Sequence, residues 1–238
     1  MSGKIAIVVA LQREIAPLVC GWQSREIAAG NRNIKVFERG EALVACGGIG
    51  GNPARSATDA VYRYAKGNIA EFVSAGFAGA LAPELKVGDI FEPATIVGDA
   101  DNNTIELQGG RGTLVSAGAI AGVEHKRIFA EKYGAQAIDM EAFSVADVAR
   151  IYNVRCRVLK AISDEYDFAM PPMGRFVTDE GEFQTGRFVA YAAVRPWTWS
   201  TVIRLGSNSA KASASLCEAL SGAIAEFERR NTIVKVTV

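Results

Sequence analysis

The sequence predicts an α/β protein: one three-layer domain with a mixed central β-sheet flanked by helices. Three observations lead there. Short apolar runs such as Ile5-Ala6-Ile7-Val8-Val9-Ala10 carry no polar face, which marks strands covered on both sides. These runs alternate with stretches at helical spacing, and several end in glycines or carboxylates, the punctuation of strand-to-helix turns. With 238 residues, 49% of them hydrophobic, the chain can bury a large core. No linker and no fixed-period repeat divides it, so a single domain is expected over 1–238.

Taken in order, residues 4–10 read as a buried strand. Leu11-Gln12-Arg13-Glu14 then opens a short helix toward Pro17, which sets Glu14 just past the strand's C-terminal end. In open α/β sheets that edge receives ligands, although an acid in the first turn of a surface helix needs no ligand at all. Residues 34–46 suggest a hairpin or two sheet strands. The Gly47-Gly48-Ile49-Gly50-Gly51-Asn52-Pro53 turn follows, with Asn52 as expected N-cap, Pro53 at the first helical position and a helix over about 53–66. Residues 69–75 form the next buried strand. Gly76-Phe77-Ala78-Gly79-Ala80-Leu81 reads as a second small-residue loop, and a further strand spans about 89–98.

Residues 99–112 are polar and glycine-rich, hence a surface loop; 113–120 are strand-like and 123–133 helical. Ala137-Ile138-Asp139-Met140-Glu141-Ala142 closes an apolar run with two carboxylates before a helix marked by Val145, Val148 and Ile151. Such a pair either grips a polyhydroxy ligand or simply suits the positive end of a helix dipole. Arg157-Val158-Leu159-Lys160-Ala161-Ile162 is another buried strand, ending in Ser163-Asp164-Glu165. Residues at about 167–205 differ in texture, rich in proline and aromatics and partly helical. A long helix is expected over 208–230, with 232–238 an edge strand or unstructured.

Composition narrows the chemistry. Formal net charge is zero, so there is no electrostatic footprint for nucleic acid. Four scattered cysteines, with no C-x-x-C pair, read as reduced, buried thiols of a cytoplasmic protein. No apolar run reaches the roughly 18 residues of a membrane span. His125 is the sole histidine and sits in the charged Glu124-His125-Lys126-Arg127 run of a helix surface. A multi-histidine metal site is therefore impossible, and the chemistry falls to carboxylates.

Five segments in this order resemble the nucleoside phosphorylase/nucleosidase family, in particular its methylthioadenosine/S-adenosylhomocysteine nucleosidase branch. They are 5–14, Gly48-Ile49-Gly50, 75–79 with 85–89, Asp139-Met140-Glu141-Ala142, and Ala161-Ile162-Ser163-Asp164. The resemblance implies cleavage of the N-ribosyl bond of a purine nucleoside bearing a 5′ substituent, without metal or organic cofactor. Such a reaction passes through an oxocarbenium-like state and needs an acid for the leaving base, a grip on the sugar and an activated nucleophile. By resemblance Glu14 activates water. Asp164, oriented by Ser163, serves N7 of the base; Glu141 holds the ribose hydroxyls and Met140 packs on the sugar. Asp139, Gly50, Phe77, Ala78, Ile120 and Lys160 would complete the substrate site. A homodimer or higher homo-oligomer is implied too.

Four positions depart from the family pattern: Phe77 replaces a small hydroxyl residue, Asp139 a glutamate, Lys160 an arginine and Ile120 a stacking phenylalanine. Val73-Ser74-Ala75 lacks the arginine that phosphorylases place before the second glycine segment, so the residues favour water over phosphate as co-substrate. The aromatic excursion, however, resembles hopanoid-associated members, assigned as phosphorylases of an adenosyl lipid. A non-catalytic nucleoside-binding protein is the remaining alternative.

Overall fold

The computed structural model describes residues 3–236, with side chains as far as 232. In chain order the strands are β1 (Lys4–Val9), β2 (Gln23–Ala29), β3 (Arg32–Arg39), β4 (Ala42–Cys46), β5 (Ile69–Ala80), β6 (Ile90–Phe91), β7 (Thr95–Gly98), β8 (Thr104–Glu106), β9 (Thr113–Ser116), β10 (Ala137–Asp139) and β11 (Arg155–Asp164). The α-helices are α1 (Gly51–Tyr64), α2 (Val123–Tyr133), α3 (Ala142–Ile151), α4 (Thr185–Ala193) and α5 (Trp199–Val236). The eleven strands among the described residues belong to one mixed sheet, in the order β2-β3-β4-β1-β5-β10-β9-β7-β8, with β11 pairing β5 and β6.

β1 shows why the apolar runs are strands. Its alternation splits between two cores: Ile5, Ile7 and Val9 pack with Ala212, Leu216, Leu220 and Ile224 of α5, whereas Ala6 and Val8 pack with Ala54, Ala57 and Val61 of α1 and Val145 of α3. A strand apolar on both faces is thus stabilised by helices on both sides. β5 is the hub, running parallel to β1 and β11 and antiparallel to β10.

Several expected boundaries move. The Gly76–Leu81 segment is no loop: β5 continues through it, because β11 pairs with it as far as Gly79. α1 is capped by Gly50 (φ 101°), not Asn52, and Pro53 lies within the first turn. The 89–98 strand breaks into β6 and β7 around Pro93, and β2 and β8 add hairpin partners that the sequence reading lacked. α5 runs straight through the expected edge strand as far as Val236, its inward stripe reaching Phe227, and Thr237 and Val238 lie outside the described residues. All four cysteines are free, but only Cys217 is buried; Cys46 and Cys156 are partly buried and Cys20 is exposed. Among the described residues no helix is long and apolar enough to cross a membrane.

Candidate active site

Parallel strands deliver their C-terminal ends to one edge of the sheet, and the candidate residues lie just beyond those ends. Glu14 follows β1 in a single 3₁₀ turn, Gln12–Glu14. α5 fixes that turn through Ser213, whose hydroxyl donates to the Glu14 carbonyl at 2.9 Å. Asp139 ends β10, Glu141 starts α3, and Ser163 and Asp164 end β11. One cleft is lined by Glu14, Asp139, Met140, Glu141, Ser163 and Asp164 together with Phe77, Ala78 and Ile120.

The small residues of β5 form the floor, and their size follows from what lies on them. A Cβ at Gly76 (φ +136°) would meet Glu14 Oε2 at 3.2 Å; one at Gly79 would meet Asp164 Oδ2 at 2.9 Å. Glycine here permits close approach of carboxylates to a strand, not a turn. Opposite, β11 carries a bulge: Ile162 pairs with Ala78 and Asp164 with Gly79, leaving Ser163 as the extra residue. A bulge re-aims the side chains beside it. Here it turns Asp164 over Gly79, where Ser163 Oγ donates to Asp164 Oδ1 at 2.7 Å.

Two buried ion pairs organise the charges. Lys126 of α2, only 2% exposed, donates to Asp164 and to the Glu165 carbonyl, the latter at 2.6 Å. Lys160, 0% exposed, lies 2.7 Å from Asp139 Oδ2. Asp139 also accepts the Ser116 hydroxyl at 2.5 Å and the Ala142 backbone N–H at 2.8 Å. Both its oxygens are therefore engaged in holding β9, β10 and the start of α3, although the residue also lines the cleft. Lys160 and Gly50, by contrast, are not in the cleft wall. Lys160 lies behind it as the counter-ion of Asp139, and the Gly50 N–H donates to Glu141 Oε1 at 2.8 Å.

Burial raises the Glu14 carboxyl from 4.5 to about 7, reinforced by the charge of Glu141 and opposed by Lys160. Glu141 is likewise raised, first by burial, with Lys160 opposing and Asp139 adding to the rise. Burial alone would lower the Lys160 ammonium; Asp139 and Glu141 overcome this and raise it.

The sequence reading missed Lys126, taken as part of a charged helix surface, whereas its neighbour His125 is exposed as expected. A signal existed: Lys126 stands at i, i+3, i+4 and i+7 spacing with Phe129, Ala130 and Tyr133, the half-buried stripe of α2. Met170, Met173 and Leu205 also line the cleft and carried no signal at all.

The arrangement is a site for acid–base chemistry on a small ligand, with carboxylates on an apolar floor. The chain belongs to the Phosphorylase superfamily, whose family model matches residues 4–118 and 110–187. Among curated proteins none matches. Among solved structures the fold is similar to a 5′-methylthioadenosine/S-adenosyl homocysteine nucleosidase of Helicobacter pylori, with 19% identity, TM-score 0.70, and 94% of this chain and 99% of that chain covered. It is similar also to a futalosine hydrolase of Helicobacter pylori (20% identity, TM-score 0.69, 95% and 99% covered). A third is a 5′-methylthioadenosine nucleosidase of Arabidopsis thaliana (17% identity, TM-score 0.71, 94% and 96% covered). At these identities the likeness shows the fold.

Proposed function

We propose that the protein hydrolyses the N-ribosyl bond of an adenine nucleoside that carries a 5′ substituent. The observation that carries this reading is the charge of the cleft: four carboxylates line it, Glu14, Asp139, Glu141 and Asp164, against two cations, Arg13 and Lys126. Lys126 is already paired with Asp164, and Lys160, behind the wall, with Asp139, so Glu14 and Glu141 face Arg13 alone. A surplus of negative charge in a desolvated cleft repels phosphate and favours the cationic sugar of the transition state. Glu14, at about 7, can take a proton from water near neutral pH. Glu141 holds the ribose hydroxyls, with Met140 against the sugar. Asp164, held by Ser163 and Lys126, serves the departing base. Ile49, Met170, Met173 and Leu205 give the cleft an apolar wall that suits an apolar 5′ group. The four free cysteines fit a cytoplasmic setting, and assembly as a homodimer or larger homo-oligomer follows from the resemblance.

The discriminating assay is adenine release from several 5′-substituted adenosines, with and without phosphate. Turnover in phosphate-free buffer, yielding free ribose sugar, is the expected result. Strict phosphate dependence with a ribose 1-phosphate product would establish phosphorolysis instead, and Arg13 is the observation behind that second reading. Its guanidinium lines the cleft, 4.8 Å from the Phe183 ring centroid, and makes no salt bridge among the described residues. Binding without base release under either condition would leave a nucleoside-binding protein.

A further inference from the structure

The chain exposes a cationic, apolar corner that the cleft chemistry does not use. α4, the 3₁₀ turn Pro196–Thr198 and the start of α5 pack on one another. The Trp199 indole N–H ties them together by donating to the Ala192 carbonyl at 3.0 Å. Their outer surface carries Val189, Val194, Trp197, Trp199 and Ile203, with Trp197 75% and Ile203 71% exposed. A cluster of large apolar side chains this exposed marks an interaction surface.

Charge selects the occupant. Between Glu182 and Glu218 the sequence has no carboxylate, yet it carries Arg187, Arg195, Arg204 and Lys211 within a chain of zero net charge. Asp167 lies across a groove from Arg204. Two such faces placed against each other would oppose arginine to arginine, which disfavours a second copy. Tryptophans and branched aliphatics flanked by arginines are instead the composition that lies in the headgroup layer of an anionic bilayer: rings at the boundary, guanidinium groups on lipid phosphates.

We propose that this corner docks the protein peripherally on an anionic membrane surface. Leu205 and Ser209 of the same helix line the cleft, so docking brings the cleft mouth toward the lipid–water boundary.

Flotation of the full chain with vesicles of phosphatidylcholine alone, and of phosphatidylcholine mixed with phosphatidylglycerol, tests the proposal. Binding is expected to the mixed vesicles only, weakening as salt rises. The double substitution Trp197→Ser with Ile203→Ser is expected to reduce it about tenfold, and Arg187→Glu, which leaves the apolar cluster intact, to reduce it severalfold. Unchanged far-UV circular dichroism and an unchanged Tm would show the variants folded. Adenine release from a water-soluble nucleoside is unaffected by Arg187→Glu, which separates this proposal from that of the cleft chemistry. No binding to mixed vesicles, equal binding to neutral ones, or a concentration-dependent oligomer that Trp197→Ser dissolves would overturn it.

Discussion

Replacing Glu14 by glutamine is expected to make the protein more stable and less active at once. In the folded chain Glu14 is 6% exposed and the pKa of its carboxyl is raised from 4.5 to about 7 by burial and by Glu141. The folded state therefore binds this proton more tightly than the unfolded one. Stability attributable to Glu14 is complete below 4.5, is lost as pH rises through the window from 4.5 to about 7, and stays lost above it. The rise corresponds to about 3 kcal/mol. Glutamine keeps the side-chain volume and does not titrate, so Glu14→Gln removes that loss. Thermal unfolding should show the variant more stable above pH 7 by up to about 3 kcal/mol, which for a chain of this size is a Tm gain of roughly 6–12 °C. The gain should shrink toward zero as pH falls to 4.5. The same variant loses its general base, and turnover should fall by about 10²–10⁴-fold. In the unaltered protein kcat/KM should rise with pH through about 7. Equal Tm values at about pH 8, or a gain independent of pH, would refute the assignment of a destabilising buried carboxylate.

Other outcomes follow from the geometry. Lys160→Met leaves Asp139 buried without its cation and should cost about 3–5 kcal/mol in denaturant unfolding, whereas a loss under about 1 kcal/mol would contradict the pairing. Lys126→Met should combine a similar loss with reduced turnover, because its partner Asp164 lines the cleft; full activity would show that Asp164 needs no Lys126 beside it. Gly79→Ala sets a Cβ 2.9 Å from Asp164 Oδ2 and 3.2 Å from Lys126 Cε. It should lower kcat more than about tenfold while circular dichroism stays native, and unaltered kinetics would show that Asp164 needs no fixed position.

Local pattern made some of this readable. β1 declares itself because Ile5–Val9 are covered on both faces, and α2 matches its expected limits because its stop is marked by Gly134 in a left-handed conformation (φ 59°). The acids at strand ends were visible because a carboxylate set directly after a buried apolar run stands where the chain leaves the core. β5 was cut short for the opposite reason. Gly76 and Gly79 look identical as chain breakers and as makers of room, and only the carboxylates of Glu14 and Asp164 above them show which they are. The Ser163 bulge was equally hidden, since it exists only relative to the register of β5.

Composition and periodicity alone therefore determined the fold class, the order of most elements and the edge of the sheet on which the acids gather. Those properties depend on near neighbours in the chain and on which faces must leave water. The division of labour among the acids was decided by tertiary structure. Asp139 and Glu141 are two residues apart, chemically alike and both at the cleft, yet Lys160, Ser116 and the Ala142 N–H engage both oxygens of the first, while the second accepts the Gly50 N–H through Oε1. Lys126 is a surface lysine by its neighbours and a buried counter-ion by its contacts. A charge has no role until its partners are placed, and these partners come from strands and helices far away in the sequence.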